Sequence, residues 1–376
     1  MIPLAFYAPL KSPNHPVPSG DRAMGRLLLS ALRLAGFGPE LASELRSLDL
    51  AGDAEAQQRI RAAGETEARR LAAVYQTRPR ESRPRLWLTY HCYYKAPDWI
   101  GPPVAEALGI PYAVAEGSRS ARRAFGAFAL GHAGSEAALD RADCLFVMTP
   151  HDEEDLAAAL RPGQRLVSLP PFLQADAWTP PPREAPHGDP SRLLAVAMMR
   201  EGDKLASYRL LAEALARLPA EAPWRLDIVG DGPAREAVES LFARFGERAC
   251  LRGAVLEPAA LAALYGASDL LVWPAIGEAY GMTLLEAQAC GCPVLAGREG
   301  GVPAILREGE TGLLAPPRDA GSFAAMLAGL LADPARLRAM REPALRFVRS
   351  ERDLPQAAAI LRSALGPLAD ATQAAS

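Results

Sequence analysis

The chain of 376 residues is poor in cysteine, in net charge and in long apolar runs, and each shortage closes off a class of protein. Five cysteines, an odd number, do not make a disulfide scaffold. Cys290 and Cys292 stand one residue apart with no second cluster or histidine partner, which argues for buried free thiols in a reducing cytoplasm rather than a metal site. A net charge of -3 does not suggest a nucleic-acid binder. No uninterrupted apolar run approaches a membrane span. The N-terminus, Met1 to Pro9, lacks a basic leader and is broken by prolines, so it reads as a first strand rather than a signal peptide. Val229-Gly230-Asp231-Gly232-Pro233 lacks the third glycine of a dinucleotide fingerprint, and Pro233 suits a first helical position; the turn is weighed as mainly structural, which leaves an NAD-dependent oxidoreductase a distant reading.

What is present is a repeating α/β pattern in a chain that is 49% hydrophobic and too long for one core, which predicts a soluble protein of two domains. In the first half the candidate strands are 2–8, 86–90, 111–115, 144–148 and 165–169, with helices near 21–35, 53–75, 97–108, 118–140 and 151–160. Seven prolines between Pro170 and Pro190 then interrupt the pattern and predict a linker. Strands resume at 193–197, 224–229, 249–251, 269–273, 294–296 and 312–314, with helices at 205–218, 233–245, 257–266, 282–290, 301–307 and 319–331. Asp353 to Leu365 reads as an amphipathic helix, and the tail after Gly366 as frayed.

One stretch carries most of the chemistry. Ser268 to Pro274 is an apolar run stopped by proline, the pattern of a buried parallel strand, and Met282, Leu285 and Ala289 fall at helical spacing before Gly291 and Pro293. Gly281 therefore opens a helix whose first amides, at Met282, Thr283 and Leu284, are expected to be free and to favour an anion. Glu278 in the loop and Glu286 a turn into the helix would repel a bare phosphate. They make sense as acceptors for hydroxyl groups flanking it, a sugar on one side and a ribose on the other.

The run from 269 to 316 resembles the donor-binding signature of retaining GT-B glycosyltransferases of the family 4 (glycosyl transferases group 1) type. The resemblance rests on Glu278 and Glu286, Ala287 to Ala296, Gly300-Gly301-Val302-Pro303 and Gly309 to Leu314, in order. Ala275, Ala279 and Tyr280 depart from the frequent Ser, Gly and Phe but remove no charge. The resemblance implies two Rossmann-like domains with parallel sheets facing across a cleft, and a C-terminal helix crossing back to the first. The corresponding divisions are an acceptor-side domain at 1–172, a Pro-rich linker at 173–190, a nucleotide-sugar donor domain at 191–350, and a returning helix and tail at 351–376. It also places Arg200 and Lys204, which follow the first strand of the second half, on the donor diphosphate; a pair of solvated surface cations is the competing reading. Ala254 and Val255 fall where relatives receive the base. Ser19-Gly20 falls where relatives often carry two glycines, and the neighbouring Asp21 reads equally as a helix N-cap or a catalytic group. His91 ends a strand where relatives often carry histidine, with a purely structural histidine an even alternative. At the strand after which relatives place another histidine this chain has none, and Glu116 stands nearby.

The expected activity is transfer of a hexose from a UDP-, GDP- or ADP-linked donor to a glycan, lipid or small-molecule acceptor with retention at the anomeric carbon. No Asp-x-Asp tripeptide occurs, so neither a metal nor another cofactor is expected. Glu278, Arg200, Lys204, His91 and Glu116 form the expected catalytic set. The alternatives are a nucleotide-sugar hydrolase or epimerase on the same fold, or a binding module that has lost transfer. Location is expected to be cytoplasmic. Arg119, Arg122 and Arg123, ahead of Phe125 and Phe128 on an amphipathic helix, offer a weak contact with the inner membrane face, against the simpler reading of a solvated basic face.

Overall fold

A computed structural model of the chain describes residues 1–17, 19–182 and 190–374. Pro18 of the first loop, residues 183–189 of the expected linker and the last two residues of the tail lie outside it. The chain divides into two compact units, Met1–Pro170 with Leu354–Ser376, and Pro171–Asp353.

The first unit holds β1 (Ile2–Tyr7), α1 (Gly20–Leu34), β2 (Phe37–Ser43), α2 (Ala54–Thr77), β3 (Trp87–Cys92), α3 (Gly101–Leu108), β4 (Tyr112–Gly117), α4 (Ala129–Arg141), β5 (Cys144–Val147), α5 (Pro150–Ala158) and β6 (Arg165–Ser168). All strands run parallel in the order β2-β1-β3-β4-β5-β6. β4 is buried along its whole length, as a strand covered by helices on both faces must be. β2 escapes the sequence pattern because Pro39 and Glu40 interrupt its apolar run. Its place at the sheet edge, where one side of the ladder is unpaired, tolerates both.

The second unit holds β7 (Ser191–Val196), α6 (Asp203–Ala216), β8 (Trp224–Val229), α7 (Arg235–Phe242), β9 (Ala249–Gly253), α8 (Pro258–Ala267), β10 (Leu270–Trp273), α9 (Met282–Ala289), β11 (Val294–Gly297), β12 (Gly312–Ala315), α10 (Ala320–Leu331) and α11 (Pro334–Glu351). Its sheet is also parallel, in the order β12-β11-β10-β7-β8-β9. The final helix, α12 (Leu354–Ala374), belongs to the first unit, where it packs on α1 and accepts hydrogen bonds from Arg165 at Ala364 O (3.0 Å) and Arg85 at Ala369 O (2.6 Å).

Several expectations are corrected. The tail expected to fray continues the helix to Ala374. α11 was not foreseen, because its dense charge and internal Pro343 mask a buried stripe of Leu337, Met340, Ala344, Phe347 and Val348. The helix expected at 301–307 is a single short turn, Val302–Ile305. The first part of the expected linker is packed: Leu173 N donates to Arg352 O (2.9 Å) and Ala175 N to the Asp353 carboxylate (2.9 Å), and a short turn spans Ala175–Trp178. The basic amphipathic helix expected from 118 does not form. Arg119 pairs with Glu136 and Asp140, Arg123 lies over the Tyr94 and Phe128 rings, and α4 begins only at Ala129. All five cysteines are free, but Cys250 is exposed rather than buried.

The Gly230-Asp231-Gly232 turn proves to be a backbone clasp. Met199 N donates to Asp231 O (2.9 Å) and Ala234 N to Met199 O (2.9 Å), so the turn after β8 fixes the loop after β7. A Cβ on Gly230, at φ +152°, would sit 1.9 Å from Ala197 O. Gly230→Ala is therefore expected to destabilise the protein by about 2–3 kcal/mol, read as a lower midpoint in urea unfolding; an unchanged midpoint would show that the loop moves freely.

Candidate functional site

In each sheet the strand order reverses at one point, and at such a switch point the loops leaving neighbouring strands part and open a crevice at the carboxyl edge. In the second unit the reversal falls between β7 and β10; the loop after β7 and the start of α6 carry Arg200 and Lys204 on one side, and the loop after β10 carries Glu278 on the other. The Lys204 ammonium and the Glu278 carboxylate meet there in a direct ion pair. Glu278 also accepts from Trp273 Nε1 (3.0 Å), and the Lys204 ammonium lies 5.6 Å from the centre of the Trp273 ring. Trp273, at the end of β10, is buried edge-on against Tyr208 (5.0 Å between ring centres), whose hydroxyl donates to Ala197 O at the end of β7 (2.7 Å). The indole thus anchors Glu278 to both strands. Gly300 approaches from behind, where a Cβ would come within 2.1 Å of Glu278 O.

Two helices begin at this edge without a side-chain cap, α6 after Gly202 and α9 after Gly281. The Met282 and Thr283 amides have no hydrogen-bond partner among the described residues. Leu284 N, expected to be free, donates to Gly281 O (3.0 Å), because the first turn of α9 tightens. The Arg200 side chain is exposed beside this edge. Lys204 is one of only three lysines in the chain, with Lys11 and Lys95, and it sits in the first turn of α6, where a cation opposes the helix dipole.

Glu286 lies on α9 and accepts from the Tyr265 hydroxyl (3.0 Å); Tyr265 in turn packs edge-on against Trp178. Burial pushes the Glu286 carboxyl up to about 7, the Tyr265 hydrogen bond opposing only part of that. Ala254 and Val255 follow β9, Ala254 exposed and Val255 half-buried, with no polar side chain of their own to mark a site.

The first unit has its own reversal, between β1 and β3. Ser19 and Gly20 sit in the loop after β1, and the Ser19 hydroxyl caps α1 by accepting from Arg22 N (3.2 Å). Asp21 is therefore not the N-cap. It reaches across to His91, Oδ1 to Nδ1 3.1 Å, while Glu116 Oε1 approaches the same nitrogen from the end of β4 at 3.5 Å. Burial alone would lower the basicity of His91, but Glu116, Asp21 and the more distant Asp152 outweigh it and raise the ring to about 9. Burial also raises Glu116, partly offset by His91; for Asp21 burial is outweighed by His91 and the carboxyl is lowered. His91 and Glu116 both hold left-handed backbone, φ +61° and +58°, which a non-glycine residue adopts only when its surroundings impose it. The sequence signals placed His91 and Glu116 at the ends of two different strands and left unread their meeting with Asp21 and the anchoring of Glu278 by Trp273. The only trace of Trp273 is an indole N–H closing a buried strand, a donor that burial obliges to find an acceptor. No group of His, Cys, Asp and Glu side chains among the described residues could hold a metal ion.

Solved structures define the class. The chain is similar over its whole length to sucrose-phosphate synthase from Thermosynechococcus elongatus (TM-score 0.73, 21% identity, 100% of both chains). It is also similar to HepE of Anabaena, determined in complex with UDP (TM-score 0.71, 12% identity, 97% of this chain and 99% of that one). The two parallel six-stranded sheets are thus those of the GT-B fold. Within the chain, residues 190–333, all in the second unit, match the family model for glycosyl transferases group 1. The D-inositol 3-phosphate glycosyltransferase of Thermobispora bispora is 32% identical over 231 residues, covering 57% of this chain and 53% of that protein. The sulfoquinovosyl transferase of Arabidopsis thaliana is 37% identical over 150 residues, covering 39% and 28%. The chain spans about half the length of the D-inositol 3-phosphate glycosyltransferases it matches.

Proposed function

We propose that the chain is a retaining glycosyltransferase that moves a hexose from a nucleoside diphosphate sugar to a hydroxyl of a glycan, lipid or small-molecule acceptor without a metal. The second unit takes the donor and the first unit the acceptor. The observation that carries the reading is the Lys204–Glu278 pair at the β7–β10 switch point, beside Arg200 and two uncapped helix N-termini. An ammonium has three donors; one on Glu278 leaves two for diphosphate oxygens, to which Arg200 adds a guanidinium fork and α9 its Met282 and Thr283 amides. These groups stabilise the negative charge that develops on the diphosphate as its bond to the sugar's anomeric carbon breaks. The departing phosphate oxygen takes the acceptor's proton, and the acceptor oxygen bonds to the anomeric carbon on the face just vacated. Glu278 holds a hydroxyl of the donor hexose and Glu286 the ribose.

HepE, a neighbour in fold, was solved with UDP and with UDP-glucose, which makes a UDP-sugar the first donor to test, ahead of GDP- and ADP-sugars. Ala254 and Val255 remain the proposed base contacts, and Ser19 and Gly20 remain proposed donor-binding residues. His91 and Glu116 are proposed to face the sugars; a module that has lost transfer would instead bind the donor and release no nucleoside diphosphate with any acceptor. Product analysis with and without acceptor separates transfer from hydrolysis or epimerisation. The proposal uses no membrane contact, since Arg119 is committed to Glu136 and Asp140.

Glu278→Gln keeps the shape but loses the charge that holds Lys204, and turnover is expected to fall about 100-fold while nucleotide affinity changes little; unaltered turnover would remove Glu278 from the chemistry. Glu286 has to be ionised to accept two ribose hydroxyls. Affinity for the nucleoside diphosphate sugar, whose diphosphate does not titrate in this range, is therefore expected to rise with pH through about 7. Calorimetry should show this in the wild type and a flat profile in Glu286→Gln; the same rise in both would assign the dependence elsewhere.

A further inference from the structure

Asp21 has no part in the second-unit site, is not the cap of α1, and yet spends its carboxylate on the His91 imidazole. Its partner lies on the next strand of the sheet, at the β1–β3 switch point, with its backbone held at φ +61°. Two acids approach a single nitrogen: Asp21 Oδ1 at 3.1 Å and Glu116 Oε1 at 3.5 Å from Nδ1. Nε2 makes no hydrogen bond to the described residues. The Tyr90 and Tyr93 rings lie 5.9 and 5.1 Å from the imidazole centre and limit its rotation.

We propose that Asp21 is a positioning residue for transfer: it fixes the His91 ring through Nδ1, with Glu116 behind it, so that Nε2–H is presented as a donor to a hydroxyl oxygen of a bound sugar. The role rests on the glycosyl-transfer reading. A hydrogen bond at one ring nitrogen decides which tautomer the other nitrogen offers, and a neighbouring carboxylate stabilises the charged ring. The charged groups acting on the imidazole are Asp21 from α1, Glu116 from the end of β4 and Asp152 from α5, with Lys11 acting on Asp21 from the loop before α1. Their balance favours the imidazolium, a donor at both nitrogens, in the neutral range. Asp21→Asn keeps a side chain of the same size but removes one charge and can turn its amide toward the ring.

The test is histidine side-chain NMR of the full chain labelled with nitrogen-15, in wild type and Asp21→Asn, the His91 signals being assigned with His91→Gln among five histidines. The His91 midpoint is expected to fall by about one pH unit or more in Asp21→Asn. The alkaline limb of the turnover profile is expected to move with it, kcat at pH 8 to fall about twofold or more with KM for the donor held, and Asp21→Glu to restore part of the loss. An unmoved His91 midpoint, or a moved midpoint with the turnover profile unchanged, overturns the positioning role. A moved midpoint in a protein that transfers no sugar to any acceptor keeps the Asp21–His91 coupling and overturns instead the reading on which its role rests.

Discussion

The ion pair between Lys204 and Glu278 is the contact on which the site depends. It joins the first turn of α6, which follows β7, to the loop that leaves β10, and β7 and β10 are the two strands between which the second sheet reverses its order. An isolated lysine at a helix N-terminus is unfavourable, since the unsatisfied amides there already carry positive partial charge. In a chain that otherwise relies on arginine for its cations, the residue at that place carries a compact ammonium with rotatable donors. Glu278 offsets part of the dipole's opposition, and Trp273 fixes Glu278. Trp273 in turn rests on Tyr208, and Tyr208 on the end of β7. The pair therefore reports the register of two strands: moving either would break it.

Backbone conformation at the strand ends points the same way. His91 near the end of β3, Glu116 near the end of β4 and Ala275 just after β10 all hold left-handed φ without being glycine, and all three stand at the carboxyl edge of their sheets. Such conformations cost roughly 1–3 kcal/mol each and persist where the surroundings over-determine them. At Ala275 the surroundings are complete burial and the amide of Ile276 donating to Ser207 Oγ (2.9 Å), which ties the Glu278 loop to α6. In the first unit they are the acids around the His91 ring.

How much of this was legible in the sequence follows from the range of each interaction. The alternation of apolar runs and helical spacing reads directly as parallel sheets, because buried strands and amphipathic helices impose local periods. β2 and α11 broke those periods, one with Pro39 and Glu40 at an edge, the other with charge and Pro343 around a narrow buried stripe, and both went unread. Glu278, Glu286, Arg200 and Lys204 were visible because each stands at a strand end or helix start that the sequence marks. Their pairing was not visible, since which strands are neighbours is a property of sheet order. Asp21 illustrates the limit best: a carboxylate at a helix start reads as a cap, and only the adjacency of β1 and β3 reveals that it serves His91 instead.

The central claim is that Lys204 and its surroundings hold the donor's diphosphate without a metal. Calorimetric titration of the full chain in EDTA with UDP, GDP and ADP, repeated on Lys204→Ala, tests it most directly. One nucleotide should bind the wild type in EDTA, and Lys204→Ala should weaken that binding about tenfold or more; equal affinity for both proteins, or binding that appears only when a divalent ion is restored, would contradict it.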